Sequence, residues 1–186
     1  MSSILSITSD EKESKVKDYL ISSGVKLHSY WLGSFAYDII PSLIDAGYIT
    51  IMLVLSEVGY WSRYGGHTFF MLFIFNMSFT SFTYFLSLPF KNTISLYLTL
   101  PLLAFVVFFI APIIPAVSTF GNKDYIMLLI MLVSPFYSVY IGLAFTPFEY
   151  SKTYYSYTSC IFWLIISGTI YLTLTILIEI KSYRKI

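Results

Sequence analysis

Five long apolar stretches, with nearly every charge placed between them, constrain this chain more than any other feature. They cover residues 31–56, 68–90, 93–115, 125–147 and 159–178. A helix needs about 20 apolar residues to cross the hydrocarbon core of a bilayer. Only 11% of the chain is charged and 57% is hydrophobic. A soluble domain carries about 25% charge. The fold class expected is therefore all-α and integral to a membrane, with several passes. A net charge of +1 gives no case for a nucleic-acid partner, and one cysteine, Cys160, excludes an intrachain disulfide framework. Residues 1–10 lack the basic lead and apolar length of a signal peptide, so insertion is expected to rely on the first span.

The basic residues set the expected topology. Lys12, Lys15, Lys17 and Lys26 precede the first stretch, and Lys181, Arg184 and Lys185 end the chain. Basic loops favour the cytosol, so both termini are expected there. Four spans satisfy this, with eight basic residues inside against three outside. The spans are then 31–56, 68–90, 93–115 and 159–178. Stretch 125–147 is interrupted by Pro135 and again by Gly142. It is expected to form two short helices that re-enter the outer leaflet, covered by protein or lining water. A fifth span kinked at Pro135 is the alternative. Tyr30 and Trp31 are expected to mark the cytosolic entry of the first span, Tyr60, Trp61 and Tyr64 its outer exit, and Tyr154, Tyr155, Tyr157 and Trp163 the outer start of the last span.

Residues 1–29 are expected to form a cytosolic lead, and 30–186 the membrane part. "EKESKVKD", 11–18, holds six charges in eight positions. Thr8 and Glu11 have capping-box spacing. Glu11–Lys15 and Glu13–Lys17 are i,i+4 pairs in the favourable order. Val16, Tyr19 and Leu20 form a narrow apolar stripe. Gly24 is a plausible helix stop. A short amphipathic helix over 10–23 is expected. It suits either a lipid surface or a protein partner.

Asp38 and Asp45 lie seven apart in the first span, on nearly one face, with Pro41 between them. A carboxylate at mid-helix costs about 2.5–3.5 kcal/mol on insertion, and no Lys or Arg lies within a span. The expectation is buried carboxylates bonded to a neighbouring helix; a translocation cavity or proton site is the other use. Asn76, Thr80, Thr83 and Ser87 share a face of the second span, by steps of four, three and four. Such a face marks helix packing or a cavity wall. Gly168, Thr169 and Thr173 form a similar patch on the last span. Catalytic groupings are not seen: His28 and His67 fall on opposite sides, and Cys160 has no nearby histidine.

"EKESKVKDYLISSGVKLHSYWLGSFAYDIIPSL", 11–43, resembles the cytosolic loop and following span of the A subfamily of ATP-binding-cassette transporters. The carrying residues are Glu11-Lys12-Glu13, Ser23-Gly24-Val25, Tyr30-Trp31-Leu32 and Asp38. "SPFYSVYIGL", 134–143, is similar to that family's proline-containing segment after the penultimate span. The resemblance covers about residues 8–180. It implies a partial ABC-2-type transmembrane domain, with the lead as a coupling helix bearing Glu11, Glu13, Lys17, Tyr19, Leu20 and Gly24. It also implies a permease for lipids or other amphipathic substrates. The partners implied are membrane lipid, a second transmembrane half and a nucleotide-binding domain that holds ATP and Mg. No GxxxxGK[ST] loop is present, so the chain is expected to hold no cofactor itself and not to act as an enzyme. It would be either part of a longer transporter or a truncated paralogue. A stand-alone four-span scaffold or accessory subunit is the other reading of the same residues.

Overall fold

Gly24 has φ +99°, a left-handed value that L side chains rarely adopt, and it ends the first helix. In the computed structural model the described residues are 16–56, 64–89, 99, 130–145 and 157–183. Helix α1 is Val16–Ser22. Beyond it, the Gly24 N–H donates to the Ile21 carbonyl at 3.1 Å and the Val25 N–H to the Leu20 carbonyl at 3.0 Å. That pair of bonds is a Schellman closure, which satisfies carbonyls the helix end leaves open. Lys26 is extended, and α2 begins at once, running Leu27–Leu55. The expected lead helix is thus present over 16–22. Its proposed capping box and charged pairs involve residues outside those described, including Glu11 and Glu13.

Among the described residues four further helices pack together. They are α2, α3 (Gly65–Ser87), α4 (Pro135–Phe145) and α5 (Tyr157–Tyr183). Three of them, α2, α3 and α5, are long and apolar enough to cross a membrane. They coincide with the expected spans 31–56, 68–90 and 159–178. The expected span 93–115 lies outside the described residues apart from Thr99. At 1.5 Å per residue, α2 is about 43 Å long, so it exceeds the roughly 30 Å hydrocarbon core. Pro41 removes one backbone donor, yet α2 continues through it.

The polarity of α2 is inverted relative to a soluble helix. Its buried positions are Trp31, Asp38, Ser42, Ala46 and Thr50. Ile40, Ile44 and Leu55 are exposed, Ile44 by 62%. A lipid solvent removes the penalty for that exposure, and small residues let helix backbones approach.

α3 is the shared neighbour. It runs antiparallel to α2: Gly65 sits by Val54, and Asn76 bonds to Ser42. It runs parallel to α5: the Tyr157 hydroxyl donates to the His67 carbonyl at 2.8 Å, and Ser78 and Ser167 hydroxyls meet at 3.0 Å. α5 therefore starts at the same end of the bundle as α3. A Cβ at Gly168 would lie 3.0 Å from the Ser78 Cα, so this contact is backbone-tight. Phe79, Phe82 and Tyr171 form one core cluster, with Phe136 of α4 against it. Met71, Met131, Tyr137, Ile141 and Cys160 form a second.

The break expected at Pro135 is observed. A helical segment ends at Val133, Ser134 is non-helical, and α4 starts at Pro135. The Ser134 hydroxyl accepts the Tyr137 N–H at 3.3 Å. Serine as N-cap with proline at the first helical position is a favoured start. Pro135 cannot donate to the Met131 carbonyl, and the Ser138 hydroxyl takes that place at 2.9 Å. The expected second break at Gly142 is not observed: α4 continues through it. A Cβ there would collide with the Met71 thioether, so Gly142 serves close packing instead. α4 runs from Phe136, beside Phe79, to Gly142, beside Met71. Its 11 residues span about 16 Å, too short to cross alone.

Candidate functional site

The end of the bundle where α1 joins α2 carries a buried polar seam. Trp31, on the second turn of α2, is 3% exposed. Its indole Nε1–H donates to Glu179 Oε2 of α5 at 2.6 Å. Its ring packs on Tyr84 of α3, with centroids 4.9 Å apart. The Tyr84 hydroxyl in turn donates to Asp38 Oδ2, two turns further along α2. Asp38 is 4% exposed and Tyr84 fully buried. Residues from three helices thus meet in one chain of contacts.

Each sequence-predicted residue has a definite place. Asp38 does not face lipid; a phenol of this same chain is among its partners. Asp45 is half-buried, beside the buried stripe through Ser42 and Ala46. Asn76 Nδ2 donates to the Ser42 carbonyl at 3.2 Å, joining α3 to α2. Thr80 and Thr83 are buried, and their hydroxyls return to their own helix, to the Asn76 and Phe79 carbonyls at 2.9 Å each. The Ser87 hydroxyl donates to the Tyr84 carbonyl at 2.8 Å. The face is therefore packed, with Asn76 reaching across to α2 and the three hydroxyls bonded to their own helix. In the lead, Tyr19 is 73% exposed and Leu20 is half-buried. Lys17 lies on α1.

Trp31, Tyr84, Glu179 and Ser42 carry the seam beyond what the sequence indicated. Trp31, expected at a headgroup interface, turns its indole N–H to Glu179 of α5. Glu179 lies one residue past an expected span and so reads as flanking charge. Among the described residues the Ser42 hydroxyl is buried without a partner. A cavity of about 140 Å³ lies between α2, α3 and α5, with an apolar lining that includes Phe35, Met77, Leu164 and Leu172. Among the described residues no cluster of acidic, histidine or cysteine side chains could hold a metal.

Long helices with apolar outer faces and a polar, small-residue interior define a polytopic helical membrane protein. Residues 1–177 match the family model described as ABC-2 family transporter protein. The chain belongs to that family. ABC-2 membrane domains form the permease part of ABC transporters and work with nucleotide-binding domains. The chain is also similar to "ABC transporter A family member 7" of Dictyostelium discoideum, 24% identical over 180 residues and 91% of this chain. It spans about a fifth of that relative's length. No solved structure matches it.

Proposed function

We propose that the chain is the permease portion of an A-subfamily-type ABC transporter that moves lipids or other amphipathic substrates. ATP would be hydrolysed on a nucleotide-binding domain outside these residues. α1 is the coupling helix, and both termini are cytosolic. The observation that carries the reading is the elbow at Gly24: the helix of the charged lead is closed by a Schellman turn and joined to α2 through Val25 and Lys26 alone. A displacement of α1 has no slack segment in which to dissipate. Likeness to an A family transporter supports the subfamily, and the substrate class is what that subfamily implies.

Four spans and a re-entrant α4 region fit the parallel run of α3 and α5. If 93–115 crosses once, a second full crossing at 125–147 would leave α5 antiparallel to α3. The short α4 running back toward the Gly65 end fits the re-entrant form.

The test uses the assembled transporter. A crosslinker placed at Tyr19 should capture the nucleotide-binding domain, and ATP-driven lipid translocation in proteoliposomes should fall when 16–24 is replaced by a flexible Gly/Ser segment. Undiminished capture and translocation after that replacement would overturn the coupling assignment.

A further inference from the structure

We infer that Glu179 is a positioning residue that locks the end of α5 to the start of α2 through Trp31, so that the two helices move as one unit. The inference deepens the coupling reading and rests on it for the source of the movement.

The geometry is specific. An indole has one N–H donor and no acceptor, so its bond has a single direction. That donor reaches a carboxylate oxygen at 2.6 Å, across 148 residues of sequence. An N–H···O bond usually measures about 2.7–3.2 Å, so this contact is a close one. Trp31 is buried, so water does not compete for it. Its ring is fixed from the other side by Tyr84, whose hydroxyl is bound to Asp38. α2 therefore holds the ring at two points, directly and through α3, while α5 is held by the indole N–H. Trp31 also stands only seven residues beyond Gly24, on the part of α2 that any displacement of α1 reaches first. A push at α1 is thus delivered to α2 and, through Glu179, to α5.

Spin labels at Leu32 and Leu177, which are exposed on α2 and α5, read the lock in the assembled transporter. In the otherwise unaltered protein the Leu32–Leu177 distance should be narrowly distributed and equal in the nucleotide-free and ATP-vanadate-trapped states. Trp31→Phe keeps the ring on Tyr84 but removes the donor. Glu179→Leu removes the acceptor. Each should broaden the distribution without nucleotide and let it shift with nucleotide. The double variant should match either single one, and Glu179→Gln, which keeps an acceptor oxygen, should stay close to the unaltered protein. A distance that shifts with nucleotide in the unaltered protein, or a distribution untouched by Trp31→Phe, overturns the inference. Failure of the coupling reading looks different: the Tyr19 crosslink is lost while the Trp31→Phe broadening persists.

Discussion

Tyr84 of α3 donates its phenolic hydroxyl to the carboxylate of Asp38 on α2, in a contact that excludes water from both side chains. The bond gives an acidic residue in a membrane helix a donor from a neighbouring helix of the same chain. Removing the phenol leaves a buried acceptor short of a donor, which costs about 1–3 kcal/mol and more for a charged group. Tyr84→Phe should therefore lower the unfolding free energy of the chain in bicelles by at least that range. Asp38→Asn keeps an acceptor oxygen for Tyr84 and should cost less. Equal stability of Tyr84→Phe and the parent would show that the bond contributes nothing.

Gly24 tests the elbow. A Cβ there meets nothing within 4 Å, so space is not the issue; the positive φ is. Left-handed backbone costs an ordinary residue roughly 1–2 kcal/mol, and Asn tolerates it better. Gly24→Ala should reduce hydrogen-exchange protection at the amides of Gly24 and Val25, with Gly24→Asn intermediate. Protection unchanged in Gly24→Ala would mean that the Schellman closure does not hold the turn.

Ser42 should behave in the opposite way to Tyr84. Its hydroxyl is buried with no partner among the described residues. An unsatisfied polar group costs about 1–3 kcal/mol, so Ser42→Ala should be neutral or stabilising in the same unfolding measurement. A clear loss of stability would point to a partner for that hydroxyl.

Two glycines separate rigid from yielding contacts. At Gly168 the obstacle to a Cβ is the Ser78 backbone, 3.0 Å away, whereas at Gly142 it is the end of the Met71 side chain. Overpacking typically costs about 1–3 kcal/mol when neighbours cannot move. Gly168→Val should separate α3 from α5, read as loss of a disulfide engineered between Ser78 and Ser167 in the parent. Gly142→Ala should leave that disulfide intact.

Elements governed by local chemistry were legible in the sequence. The spans at α2, α3 and α5, the stop at Gly24 and the break at Pro135 all follow from hydropathy, a missing Cβ or a missing N–H. Gly142 was not legible as a packing site, because its role depends on Met71, seventy-one residues away. Trp31 carried an interfacial signal by residue type, and only the approach of α5 turns its indole inward. Glu179 reads in the sequence as a charge flanking a span, because its contact depends on Trp31, 148 residues away. The polar face at Asn76, Thr80, Thr83 and Ser87 was visible as a face; which of its groups would reach across to α2 was not.

The hydroxyls of Thr80 and Thr83 on α3, and of Thr50 on α2, all bond to carbonyls of their own helices. They fill the interior with polar atoms without tethering one helix to another. A helix sliding past α3 there breaks none of these bonds, whereas at Trp31, Asp38 and Glu179 it must. Between these grips, Asn76 to Ser42 and Ser78 to Ser167 are the ties that hold the middle of α3 to α2 and α5, so the bundle is pinned at discrete points and the threonines fill the intervals without adding pins.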